Sequence, residues 1–235
     1  VRNLVIVVSL LLLAWISPAR AGKVHLEYHV SWVGIPAGKI KMTIQEEPTG
    51  IYLLAKSKTV GVVKVFFPFK SRWETWCRPD GYPVKSRIWR KKRRKEVTKI
   101  FVFDQEKGIV RRFKKGQTKE YRLEHYPVYD ELSAFYATMK ADWSKVGEEK
   151  VFWIYAHKKA NRAVVKYEKD EEVKDHEGRK VQAKKLLVQF GFESELVKRA
   201  KKAYLWLHDG LVIKSEGDLA IGHLTGTLVK VEKEE

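Results

Sequence analysis

Few residues in this chain stand at spacings that could do chemistry, and each has a plainer role to weigh against it. The segment VHLEYHV carries His25, Glu27 and His29 at alternate positions, so in a strand all three share one face. Two imidazoles and a carboxylate can hold zinc or a similar divalent ion. The three are weak candidate ligands. A solvated polar face is the better reading, because the segment opens the folded region and no further ligand lies beside it. The stretch WVGIPAGKIKM, residues 32–42, sets Gly34, Gly38 and Lys39 in an order that hints at a phosphate-cradling loop. That loop needs four residues between its glycines and a Ser or Thr after its lysine. Here there are three, and Ile40 follows Lys39. The next residues alternate apolar and polar as a strand does, so a β-hairpin turn is expected and no nucleotide site. Nucleophilic catalysis finds no support: there is no G-x-S-x-G, Cys77 lies between Trp76 and Arg78 with no histidine close in sequence, and His208-Asp209 falls at a turn. Glu46-Glu47 and Glu171-Glu172 fall at turns or strand ends. No catalytic residue and no cofactor is assigned.

The basic residues are the strongest feature. KSRIWRKKRRK contains Lys85, Arg87, Trp89, Arg90, Lys91, Lys92, Arg93, Arg94 and Lys95. A strand with this composition puts charge on both faces, and unpaired charges resist desolvation, so the run is expected at an exposed hairpin end or rim. It suits an anionic head group or membrane surface, where each Lys or Arg is worth about 1 kcal/mol. The alternative is a solvated run that protects a sheet edge. Close by, VVKVFFPFKSRW holds Phe66, Phe67 and Phe69 around Pro68, followed by Trp73. Core packing at a proline bend is the favoured reading. A membrane-dipping loop, or the mouth of an apolar ligand cavity, is the alternative.

The elements that must position these residues are mostly strands. Ile40, Met42 and Ile44 alternate with polar residues, as do Leu186, Val188 and Phe190, and Ala203, Leu205 and Leu207. Gly-containing turns at residues 48–50, 79–81, 106–108, 115–116, 176–178 and 208–210 separate short runs, the pattern of an antiparallel sheet built from hairpins. One segment breaks the rhythm. In YDELSAFYATMKADW, Leu132, Phe135, Tyr136 and Met139 share a helical face, and Asp130 is placed to cap the N-terminus. The expected fold is mainly β: a large curved antiparallel sheet, a half-barrel or partly closed barrel, with one amphipathic helix inserted against its concave side.

Residues 1–21 read as a secretory signal peptide: Arg2, an apolar run over residues 4–16, then small residues at Ala19 and Ala21. Thirteen residues fall short of the about 20 that span a bilayer. Residues 22–235 are expected to form a single mainly-β periplasmic domain. A single cysteine excludes an internal disulfide and a cysteine-based zinc site. The formal net charge is +18. For an exported protein that excess points to phospholipid head groups or other envelope anions rather than nucleic acid; ion networks suited to a hot habitat would explain the charge density but not its sign.

Three stretches together resemble the exported bacterial proteins grouped as domain of unknown function 3108. LEYHVSWVGIPAGKIKM, with Gly34 and Gly38, is similar to that family's opening strand and hairpin. YDELSAFY resembles its Asp-x-x-Ser-x-x-Tyr segment, here Asp130, Ser133 and Tyr136. AYLWLHDGLVIKSEGDLAIGHLTGTL resembles its closing strands, with Trp206, Gly222 and Leu228 at matching places. The last strands depart from the family near Val212, where members often carry proline. The resemblance implies an envelope protein with no established enzymatic activity and, by fold analogy, a half-barrel like those of periplasmic lipoprotein carriers. The leading expectation is a non-enzymatic binding protein for a lipid or other anionic envelope amphiphile, soluble or in peripheral membrane contact, its oligomeric state left open. A structural or adaptor protein on an anionic membrane surface or envelope protein is the alternative. An envelope hydrolase is a weaker one.

Overall fold

The computed structural model describes residues 22–192, 202–218 and 222–234; the expected leader, residues 1–21, lies outside the described residues. Among these residues fourteen strands form one antiparallel sheet: β1 (Gly22–Trp32), β2 (Ile35–Glu47), β3 (Gly50–Thr59), β4 (Phe69–Cys77), β5 (Pro83–Lys92), β6 (Lys95–Asp104), β7 (Ile109–Lys114), β8 (Gln117–Arg122), β9 (Glu149–Ala156), β10 (Lys159–Lys174), β11 (Lys180–Phe190), β12 (Lys202–His208), β13 (Leu211–Asp218) and β14 (His223–Glu234). Helix α1 (Gly61–Phe66) joins β3 to β4, and α2 (Glu131–Lys140) lies between β8 and β9. The first eight strands follow one another as a meander, and so do the last six. The two halves are joined where β1 pairs with β14, so the sheet begins at β8 and ends at β9.

The alternation read from sequence sets the faces. Leu26 and Tyr28, Met42 and Ile44, Leu186 and Val188, and Ala203, Leu205 and Leu207 are all buried. Residues two apart on a strand point the same way, so these runs give the curved sheet one continuous apolar face. Helix α2 packs against β3, β4 and β9 and adds Leu132, Tyr136 and Met139 to the same core. Just beyond it Trp143, 1% exposed, donates its indole N–H to the Thr138 carbonyl at 3.0 Å.

The sheet's two edges overlap instead of pairing. Tyr155 of β9 meets Phe101 and Phe103 of β6 and Tyr121 of β8, with ring centroids 5.6, 5.8 and 6.4 Å apart. The chain from β8 to α2 seals this seam. Tyr129 exchanges backbone hydrogen bonds with Trp153 and Tyr155 at 2.8 and 2.7 Å, and so occupies the groups that β9 would otherwise offer as a free edge. The buried Gln105 side chain accepts from the Val128 N–H at 3.0 Å and donates to the Val128 and Pro83 carbonyls at 2.9 and 2.7 Å. It thereby stands in for a strand partner. His125 stacks on Trp153, centroids 3.8 Å apart.

On β4, Glu74 is 7% exposed and accepts from Arg72 at 2.7 Å and from the Tyr52 hydroxyl at 3.0 Å. The Arg72 guanidinium holds its carboxyl below the ordinary value near 4.5. A carboxyl with a depressed folded-state pKa contributes stability that is present above the unfolded-state pKa and lost as pH falls through the folded one. Glu74→Gln is therefore expected to cost about 1–2 kcal/mol at pH 7. It should cost progressively less below pH 4.5, as urea unfolding across pH will measure.

Candidate functional site

Alternate turns of an antiparallel meander lie at the same end of the sheet. The β1–β2, β3–β4, β5–β6, β7–β8 and β9–β10 turns therefore share one end. They bring together Lys64, Lys92, Arg93, Arg94, Lys95, Lys114, Lys115, Lys158 and Lys159. The opposite end mixes Glu47, Asp80, Glu106, Glu177 and Asp209 with Arg78, Lys107 and Arg179.

The aromatic stretch favoured above as core instead forms α1, a second helix that the sequence reading did not anticipate. It buries none of its residues. Val65, Phe66 and Phe67 are 75, 61 and 60% exposed, and Val62 is exposed beside them. The reason is local. Thr59 ties the loop shut, its hydroxyl donating to the Phe67 carbonyl at 3.1 Å and accepting from the Phe69 N–H at 3.0 Å. That closure turns the six-residue helix out from the sheet end rather than onto its concave face. Phe69 starts β4, half-buried, and Trp73 is buried deep in the core.

The basic turn is bound directly to this loop. Arg93, in the left-handed region at φ 53°, donates its backbone N–H to the Pro68 carbonyl at 3.2 Å and a guanidinium N–H to the Phe66 carbonyl at 3.4 Å. The β1–β2 turn joins the same surface. Val33 and Gly34 both have positive φ, as a two-residue hairpin requires, and Val33 and Ile35 are exposed. The Val60 N–H donates to the Ala37 carbonyl at 3.0 Å. Gly222 explains its place among the family-like positions: its φ is 75°, and a Cβ there would stand 2.4 Å from the Val33 side chain. The β1–β2 hairpin and the closing glycine thus meet in space, and the Val33 N–H donates to the His223 carbonyl at 3.0 Å. Half of the exposed large hydrophobic side chains among the described residues belong to this surface, a clustering rather than scattered exposure.

The strand register extends the positive charge along one wall. Lys39, Lys58, Lys70 and Lys91 stand directly opposite one another across β2 to β5. Lys41, Lys56 and Arg72 form a second row. Glu27 and Glu96 neutralise the ends of the first row, at 3.4 Å from Lys39 and 3.8 Å from Lys91. Like charges directly opposite destabilise a sheet, so this arrangement favours an anion laid across it. Not all of the basic run reaches the rim. Ser86 and Ile88 point inward while Lys85 and Arg87, alternating with them, are exposed, and Lys85 lies over the Trp76 ring at 5.4 Å, most of a strand away. Trp89 donates to Glu96 at 2.5 Å, and the Arg90 guanidinium stands 6.0 Å from the Trp73 ring.

The remaining sequence candidates are held in structural contacts. His25 is bonded to Thr43 at 3.0 Å and to Glu234 at 2.9 Å, whereas Glu27 receives Lys39, Lys41 and His29. Cys77 is buried, and that burial, with Asp130 nearby, pushes its thiol pKa up and keeps it protonated. Gly38 runs close to β3, where a Cβ would lie 3.2 Å from the Lys58 carbonyl. Trp206 is buried beneath Lys214, 4.3 Å from its ring, and donates to Glu171 at 3.3 Å.

The Asp130, Ser133 and Tyr136 segment organises α2. Asp130 and Ser133 form a reciprocal capping box: the Ser133 N–H donates to Asp130 Oδ1 at 2.7 Å, and the Asp130 N–H donates to Ser133 Oγ at 3.0 Å. Asp130 Oδ2 accepts from the Thr75 hydroxyl at 2.6 Å, from the Trp73 indole at 3.3 Å and from the Ser86 hydroxyl. Tyr136 reaches the other end of the sheet and donates to Glu46 at 3.1 Å. Ser86, Asp130 and His157 line one cavity, but Ser86 is fully buried and spends its hydroxyl hydrogen on the carboxylate. That geometry fixes a helix rather than poising a nucleophile.

An open, overlapped sheet with a helix in its concavity defines a barrel-like protein. The family model described as "Protein of unknown function (DUF3108)" matches residues 27–229, and the chain belongs to that family. The chain is similar to a solved beta-barrel-like protein of domain of unknown function DUF1849 from Brucella abortus. Identity is 13% and the TM-score 0.60, over 93% of this chain and 99% of that one. This likeness bears on the fold alone. A protein with a YmcC-like fold from Bacteroides fragilis is matched at 10% identity and a TM-score of 0.36, over 92% of this chain and 97% of that one. None of the curated proteins matches the chain.

Proposed function

We propose that the protein is a non-enzymatic envelope protein that docks on an anionic phospholipid surface through the end built by α1 and the β5–β6 turn. The observation that carries this reading is the bonding of Arg93 to Pro68 and Phe66, which sets a cationic turn and exposed aromatic side chains on one rim. Apolar insertion and head-group attraction then act on the same contact, the combination that makes interfacial binding stable. The apolar run over residues 4–16 supports export to a compartment that holds such a surface. Among the described residues no helix is long and apolar enough to cross a membrane, which fits peripheral contact.

The carrier reading is less well supported. The concave face is occupied by α2 and by fully buried side chains such as Leu53, Leu186 and Trp143. Openings of about 170 and 400 Å³ lie beside it, the first below and the second at the low end of the roughly 300–1,000 Å³ of sites for drug-sized ligands. Vesicle flotation tests the proposal. The chain of residues 22–235 should float with phosphatidylglycerol vesicles, not with phosphatidylcholine vesicles, and should be released as salt rises from 0.1 to 1 M, where the Debye length shrinks from about 10 to 3 Å. Equal flotation with both lipids, or none with either, would overturn it and turn attention to an envelope protein as partner.

A further inference from the structure

Away from the rim, a cavity of about 170 Å³ lies where the inner faces of β4 to β7 meet β9 and the β9–β10 turn. Its chemistry is graded. Lys99, Phe101 and Phe103 share one face of β6, and Lys99 stands nearest the basic end, where β6 begins. Trp73 and Tyr155 add to the aromatic wall; Arg112 and Lys158 add cations. Three permanent cations thus line the cavity against two carboxylates, Asp130 and Glu131. Asp130 is already held by Trp73, Thr75, Ser86 and Ser133. Arg112 is different: its Nε is buried with no hydrogen-bond partner. The Tyr121 hydroxyl is also buried without one, its ring centroid 5.6 Å from the Arg112 guanidinium. Buried polar groups are nearly always paired, so an orphan donor beside a cavity calls for an acceptor.

We propose that this cavity binds a small organic monocarboxylate, with the carboxylate on Arg112 and the apolar body against Phe101, Phe103 and Tyr155. An apolar cavity of about 150 Å³ takes up benzene, so this volume suits one ring or a short chain and excludes a phospholipid. The charge-assisted bond fixes orientation. Because the site lies across the seam between β9 and β6, binding also ties the overlapped edges together and raises the unfolding midpoint.

Titration calorimetry with benzoate, octanoate and their neutral counterparts benzyl alcohol and octanol, on residues 22–235, tests this. At least one carboxylate should bind saturably and raise the unfolding midpoint, with benzyl alcohol at least tenfold weaker than benzoate if the ring is preferred and octanol at least tenfold weaker than octanoate if the chain is. Arg112→Gln should weaken the carboxylate tenfold or more and leave the neutral analogue unchanged. Ala156→Leu, which fills the cavity, should abolish both. Equal affinity for the acid and its alcohol, binding that survives Arg112→Gln, or no saturable binding at millimolar carboxylate would overturn the proposal. Should Arg112→Gln fail to fold, the acid–alcohol contrast on the unaltered chain decides alone. Phe66→Ser, at the rim, should leave this binding intact, so the cavity and the membrane proposals stand or fall separately.

Discussion

Asp130→Ala is expected to destabilise the protein by about 4 kcal/mol or more, a large share of the roughly 5–15 kcal/mol that holds a domain folded. The loss has two sources. Removing an N-cap acceptor costs about 1–2 kcal/mol. The carboxylate also accepts from Thr75, Ser86 and Trp73, and Asp130 itself is 3% exposed. Leaving such donors buried and unpaired costs about 1–3 kcal/mol each, though not additively. Asp130→Asn should fall between, near 2 kcal/mol: it keeps the oxygen facing the Ser133 N–H but turns an amide N–H₂ toward the Trp73 indole, which can only donate. Ser86→Ala should cost about 1 kcal/mol, because the carboxylate retains its other donors. Urea unfolding followed by tryptophan fluorescence measures all three. A loss below 1 kcal/mol for Asp130→Ala would mean that α2 is held by packing alone. The order of effects matters because α2 and the chain before it seal the seam between the sheet edges, so loosening this cap should also raise hydrogen exchange in β9.

The second large effect concerns the rim. Neutralising Arg90, Lys91, Lys92, Arg93, Arg94 and Lys95 to glutamine is expected to lower affinity for phosphatidylglycerol vesicles at least a hundredfold at 0.1 M salt. At about 1 kcal/mol per charge near an anionic surface the full sum would be larger, but Arg90 and Lys91 lie back from the turn, beside Trp73 and Glu96 respectively. Phe66→Ser with Phe67→Ser should lower affinity tenfold or more by a separate route. Burying a phenylalanine is worth about 1.5–3 kcal/mol, and these rings enter the interface only in part. The two variants should differ in salt response: the neutralised turn flattens it, whereas the serine variant keeps it. Folding stability should change by no more than about 0.5 kcal/mol in the serine variant, since both side chains are exposed. A rim whose aromatic side chains were part of the core would instead lose several kcal/mol.

The sheet was legible in the sequence because its signals are local. Period-two runs and Gly-marked turns mark most of the β-hairpins, and the i, i+3, i+4 spacing of Leu132, Phe135 and Tyr136 located α2 with its Asp130 cap. What escaped was set by contacts distant in the chain. Nothing near Tyr155 predicts that it packs on Phe101 and Phe103, and nothing near Gln105 predicts that it pairs with Val128. The cap at Asp130 was visible, but its donors come from a hairpin some 50 residues earlier. Helix α1 was misread for a different reason. Its Val and Phe residues have high β propensity, and an apolar cluster beside proline reads as core until the Thr59 bonds turn it outward. The lysine row across β2 to β5 was hidden because register, not composition, aligns it.

The proposed contact of one end of this barrel-like sheet with the membrane is tested most directly by depth. Cys77 is the chain's single cysteine and is buried, so Cys77→Ala provides a background for Val65→Cys on α1 and, separately, Glu177→Cys at the opposite end, each labelled with an environment-sensitive fluorophore. With phosphatidylglycerol vesicles, emission from position 65 should shift to the blue and become quenchable by labelled lipid, while position 177 stays unchanged. Equal shifts at both positions, or none at 65 under conditions where the protein binds, would contradict the account.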